Sequence, residues 1–104
     1  MSTSRELIKW VIETVADETE IPSERILSRE RTTEVVDARH IVAIILIRMG
    51  VYTSKISNAL RITPRNIQYI VTNFENRTAC NRPLRNKYEI IKKKLRNRLE
   101  ITVL

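Results

Sequence analysis

The chain is short of the residues that turn a backbone sharply: 104 residues contain one glycine and three prolines. Hairpins and tight corners draw on both, so an all-β fold has too little turn material here. Aromatic residues are also scarce, at 5%. The single Cys80 excludes an internal disulfide, and no Cys/His group has zinc-ligand spacing. A lone thiol fits a reducing compartment. The longest apolar run, Ile41 to Ile47, is seven residues, far below the ~20 that span a bilayer. The opening "MSTSRELIKWVIETV" has acids within its pattern and no long apolar stretch of the signal-peptide kind. The expectation is a soluble intracellular protein of the cytoplasm. No G-x-x-x-x-G-K-[ST] loop, nucleophile–base set or paired carboxylates appear, so neither an enzyme nor a cofactor or metal is expected.

What the chain does have is charge, unevenly placed. Hydrophobic residues make up 42% and charged residues 30%, a globular balance that fits one domain over 1–104 with one modest core. The net charge is +7. Residues 1–37 carry five Lys/Arg against nine Asp/Glu, while 38–104 carry fourteen against three. A basic surface that large within two-thirds of a small domain attracts a polyanion, nucleic acid first, with an acidic protein or a membrane surface as the other classes.

Helical periodicity runs through most of the chain. Ser4 precedes Leu7, Ile8, Val11, Ile12 and Val15, which reads as a capped helix ending near Glu18. "IPSERIL" places Pro22 at the start of a short helix anchored by Ile26 and Leu27. "SRERTTEVV" has no helical stripe and is expected to be an ordered loop. "DARHIVAIILIRMG" reads as a central helix capped by Asp37, apolar on most sides, and closed by Gly50 at C′. His40 near its start is expected to be satisfied or solvated, because no partner constellation accompanies it. Thr53 or Ser54 caps the next short helix, with Ile56, Ala59 and Leu60 inward. Thr63 caps another, with Pro64 at its first position and Ile67, Ile70, Val71 and Phe74 inward. "NRTACNRP" is expected to be a linker. Leu84, Tyr88, Ile91, Leu95 and Leu99 then mark a last amphipathic helix whose other face carries Arg85, Lys92, Lys93 and Arg96. This predicts an all-α fold of about six helices.

The stretch "SNALRITPRNIQYIV" is the most informative. One helix stops at about Arg61 and another opens at Thr63-Pro64, a turn of about three residues that makes the pair cross steeply. Helices at 53–76 joined this way have helix-turn-helix geometry. Ile62 plugs the junction, and Arg61 takes the turn position that usually holds glycine, where a positive φ is mildly strained. With the apolar face inward, Pro64, Arg65, Asn66, Gln68, Tyr69, Thr72 and Asn73 face outward. Arginine reads guanine bidentately and Asn or Gln reads adenine, so this face suits major-groove readout of double-stranded DNA.

The region "IPSERILSRERTTEVVDARHIVAIILI…ISNALRITPRNIQYIV" resembles the C-terminal DNA-binding domain (domain IV) of the bacterial chromosomal replication initiator DnaA. The likeness covers about 7–95. It rests on "ILSRERT", on Arg39-His40 opening the apolar central helix, and on the spacing of Ile56/Ala59/Leu60 and Ile67/Ile70/Val71/Phe74. It implies a Trp-repressor-like helical domain that binds duplex DNA, with Arg31 in the minor groove and Arg39 at a phosphate. The family's signature Gly-Gly-Arg-Asp-His-Thr-Thr-Val is reduced here to "RITPRNI", and its base-reading Asp, His and Thr positions hold Thr63, Pro64, Arg65 and Asn66. Glu30, Glu34 and Asp37 also place acids in and beside a loop that is basic in the family.

The expected base-reading set is therefore Arg65, Asn66, Gln68, Tyr69, Pro64 and Arg31. Thr63, Arg39, Lys55, Arg61 and Arg29 form the expected phosphate-contacting set, with the basic last helix adding nonspecific attraction. The expected function is duplex DNA binding in replication initiation or its regulation, with a protein partner in replication or transcription possible and a nucleoid location implied. The alternative is a protein-interaction module that keeps the fold and lacks base readout; the acids beside the loop and the reduced signature favour it.

Overall fold

A computed structural model describes residues 4–99, with side chains through 97. Six helices follow one another and no strand occurs among the described residues: α1 (Ser4–Thr19), α2 (Ser23–Ile26), α3 (Thr33–Arg48), α4 (Thr53–Leu60), α5 (Pro64–Cys80) and α6 (Arg82–Leu99). The fold is all-α, as the scarcity of turn residues required. No described helix is long and apolar enough to cross a membrane.

The central helix is α3, which packs on each of the other five. Its run Ile41–Leu46 is buried on every side, and for that reason its sequence shows an apolar block rather than a stripe. Its C-terminus closes as a Schellman motif. Gly50 takes φ +86, its N–H donates to the Ile47 carbonyl, and the Val51 N–H reaches back to Leu46. Val51 is buried beside this turn.

Two other helices end in the same left-handed conformation without a glycine: Glu20 has φ 59 after α1, and Arg61 has φ 57 after α4. The strain expected at Arg61 is present. The turn around it is held by the Ile62 N–H, which donates to the Ser57 carbonyl, and by the Ser57 hydroxyl, which donates to the Ile62 carbonyl at 2.5 Å.

Four boundaries differ from expectation. Ser4 is itself helical instead of capping α1. The loop expected over "SRERTTEVV" is only Ser28–Thr32, because α3 starts at Thr33, four residues before Asp37. Burial of Val35 and Ala38 draws that β-branched turn into the helix. Asp37 is thus interior to α3, and Thr32 precedes the helix without capping it, since its hydroxyl donates to Glu30 Oε2. At α4, neither Thr53 nor Ser54 caps: Tyr52 is the N-cap residue, and its carbonyl accepts from the Lys55 and Ile56 amides. The linker expected over "NRTACNRP" shrinks to Asn81, since α5 runs through Cys80 and Asn81 Oδ1 accepts the Leu84 N–H, capping α6. Pro83, within that expected linker, sits in the first turn of α6, where no amide hydrogen is required.

The remaining inward residues fall as the spacing predicts. Ile56, Leu60, Ile67, Ile70, Phe74, Leu84, Tyr88, Ile91 and Leu95 are buried, with Val71 and Ile62 packed at the margin. Phe74 meets the Tyr88 ring edge-on at 4.9 Å, joining α5 to α6. The Leu99 side chain lies outside the described residues.

Candidate functional site

The second helix of the abrupt pair begins as its sequence requires. Thr63 is extended, its hydroxyl accepts the Asn66 N–H at 3.0 Å, and Pro64 fills the first helical position. Ile67, Ile70 and Phe74 then bury one side of α5 to within 2% of full exclusion. That burial fixes the opposite side. Arg65, Gln68, Tyr69 and Thr72, spaced three and four residues apart, form one exposed stripe, with Tyr69 63% exposed. Pro64 is exposed at the head of this helix. Asn66 departs from the stripe: with Ile70 it lines a cleft on the flank of α5.

That cleft, about 600 Å³, lies between the stretch after α2 and the turn at 61–63. It brings Arg29 and Arg31 together with Arg61, Thr63 and Asn66, although about thirty positions separate the two segments. Lys55 is exposed on α4 and does not line the cleft.

Arg39, expected at a phosphate, spends its guanidinium within the fold. It is 8% exposed, and its guanidinium donates from Nε to the Ile26 carbonyl at 2.9 Å and from Nη2 to the Ser28 and Glu30 carbonyls. A guanidinium carries five donors in a rigid fork, so one arginine can tie down a loop that has no secondary structure to satisfy its carbonyls. Arg39 therefore positions Arg29 and Arg31, which border the cleft.

The acids beside the loop are mostly taken up within the chain. Glu30 receives Arg25 Nε at 3.0 Å and Nη2 at 2.5 Å, and the Thr32 hydroxyl at 2.7 Å. The Arg25 hydrogen bond, followed by that of Thr32, holds its carboxyl down at about 2. Asp37 accepts from Arg77 Nη2. The other end of the same guanidinium faces His40 Nδ1 at 2.5 Å. Burial, then the Arg77 charge, pushes His40 down to about 4, so near neutral pH it is an uncharged ring accepting from Arg77. His40 is thus satisfied, and Asp37, His40 and Arg77 lock α5 onto α3. Glu34 is exposed. None of this clamp is legible in the sequence, since Arg77 lies about forty positions from its partners and no local pattern pairs them.

The basic face of α6 is partly spent. Lys94 pairs with Glu18 at 2.7 Å and approaches Asp17 on the acidic α1. Lys92 lies 3.3 Å from Glu89 and over the Tyr88 ring at 4.8 Å. Arg85, Lys93 and Arg96 remain exposed. A search of protein-family models finds none that matches this chain, and no curated protein matches it either.

Proposed function

We propose that the protein binds duplex DNA through a helix-turn-helix formed by α4, the turn at 61–63 and α5. On this reading α5 is the helix that enters the major groove. The observation that carries it is the exposed Arg65–Gln68–Tyr69 stripe standing opposite the buried Ile67–Ile70–Phe74 face. A purely structural helix face has no need of base-length donors and acceptors on its first turns. Arg65 and Gln68 have the chemistry to read guanine and adenine edges, and Tyr69 adds an apolar surface with a hydroxyl.

The flanking groups support the same reading. Arg29 and Arg31 stand across the cleft from the α5 N-terminus, as a loop reaching the adjacent minor groove requires. On this reading Lys55 on α4, with Arg61 and Thr63 at the turn, contacts phosphates, and Arg39 serves by holding the loop. Asn66, turned to the cleft, meets the strand between the grooves in place of a base edge. The likeness to the replication initiator's domain IV points to a role in replication initiation or its control, without catalysis. A protein-interaction module is the other class, favoured by the acids near the loop. Glu30 and Asp37 are taken up by Arg25 and Arg77, which leaves Arg29 and Arg31 as charges free for an anion.

Selection of bound sequences from random duplexes tests the proposal. A short enriched motif is expected. Arg65→Ala should relax it at one base pair, a loss of about 1–3 kcal/mol of discrimination, and Arg31→Ala should weaken mainly sites with a narrow A·T-rich flank. Equal losses on every duplex from both variants would reduce the two arginines to phosphate contacts and remove the readout.

A further inference from the structure

Duplex binding accounts for the arginines of the cleft beside α5 but makes no use of its apolar wall. Four arginines line it, Arg29, Arg31, Arg39 and Arg61, and no carboxylate does. Arg29, Arg31 and Arg61 have no ion-pair partner among the described residues. Glu30, the acid embedded in the same stretch, is taken up by Arg25 and Thr32. Arg39 ties the Ile26, Ser28 and Glu30 carbonyls, so the loop wall is held in place before any ligand arrives. Val36 and Ile62 add apolar surface to the same cavity.

Its volume of about 600 Å³ falls within the ~300–1,000 Å³ of small-molecule sites. An inorganic phosphate occupies a small part of that space and makes no use of the apolar wall. Guanidinium forks match phosphate oxygens two at a time, and several of them favour more than one phosphate. We propose that this cleft binds a small organic polyphosphate of nucleotide size, its phosphates held by Arg29, Arg31 and Arg61 and its organic part set against Ile62 and Val36. Binding in the cleft does not depend on the DNA reading. Its consequence does: a ligand there neutralises the loop arginines and competes with the strand that passes between the grooves.

Isothermal titration with adenosine triphosphate and with inorganic triphosphate, in low salt and without magnesium, measures the site. One adenosine triphosphate should bind per chain, several-fold tighter than inorganic triphosphate. Arg61→Gly should weaken it about tenfold, the loss of a charge-assisted contact. It should do so without lowering the unfolding temperature, because φ 57 at that position suits glycine. Arg31→Gln should act in the same direction, and Lys9→Gln on α1, which removes the same charge from an exposed residue that does not line the cleft, should change nothing. The proposal is overturned by no binding, by equal affinity for the inorganic and organic ligands, or by Lys9→Gln weakening binding as much as Arg61→Gly. A labelled-duplex arm separates the two readings. Nucleotide binding with no duplex binding leaves the cleft and removes the DNA proposal; duplex binding that the nucleotide neither displaces nor accompanies does the reverse.

Discussion

Arg39 and Arg77 share a residue type with the exposed cations but do a different job, because each spends its guanidinium inside the fold. Arg39 donates to the Ile26, Ser28 and Glu30 carbonyls together. Arg39→Met keeps the aliphatic stem and loses those bonds, so unfolding free energy should fall by about 2–3 kcal/mol, the scale of hydrogen bonds to a charged group. Trypsin should then cut faster at Arg29 and Arg31. Unchanged melting and unchanged cleavage would show that the loop stands without Arg39. His40 makes the neighbouring clamp sensitive to acid. Its folded pKa of about 4 lies below the ordinary 6.5, so between those values the unfolded chain binds the extra proton. Stability is therefore fully present above about pH 6.5 and is lost as pH falls towards 4. A series of melts across that window should show the loss, and His40→Gln should flatten it.

At the scale of elements, α5 depends on a cap at one end and a seam along its length. Thr63→Ala removes the acceptor for the Asn66 N–H and should cost about 1 kcal/mol, read by urea denaturation. Ile67→Asp places a charge where 1% of the residue is exposed. An unpaired buried charge costs several kcal/mol against a total of ~5–15, so the variant should be unfolded by circular dichroism; a native melt would place Ile67 outside the seam. These two features are legible in the sequence because both are local: a Thr-Pro start and a three-and-four spacing. Gly50 is legible for the same reason, as is the strained Arg61. The start of α3 is not. Thr33, Val35 and Val36 have weak helical preference, and what carries them into the helix is the burial of Val35 and Ala38, which the local sequence does not announce. The α5–α6 boundary misleads in the opposite direction, since Pro83 looks like a breaker while a proline in a first helical turn is a starter. The exposed stripe on α5 follows from the buried one. The role of Arg39 does not, because a buried arginine and a surface arginine are spelled alike.

The whole molecule is polarised, but less simply than its two charge blocks suggest. Lys94 crosses back to Glu18 and Asp17, so part of the excess of α6 is cancelled against the acidic α1. Lys92 is occupied by Glu89 and the Tyr88 ring. The exposed cations on α4, the turn and α5 that form no ion pair among the described residues are Lys55, Arg61 and Arg65, with Arg29 and Arg31 lining the cleft. If duplex binding uses about four of them on phosphates, log K should fall against log salt with a slope of about 3–4, at ~0.9 for each phosphate neutralised. A dependence on the full net charge would instead be much steeper. Lys55→Gln removes one expected phosphate contact that lies outside the cleft, so it should lower the slope by about 1 and weaken all duplexes alike. Lys9→Gln, on the acidic side, should leave the slope where it was. Titrations of one labelled duplex with wild type and both variants over a range of salt measure all three slopes. Equal slopes for the two variants would mean that the protein meets DNA as a diffuse charge, with no face of its own. A smaller slope for Lys55→Gln alone would place the strand along α4 and the head of α5.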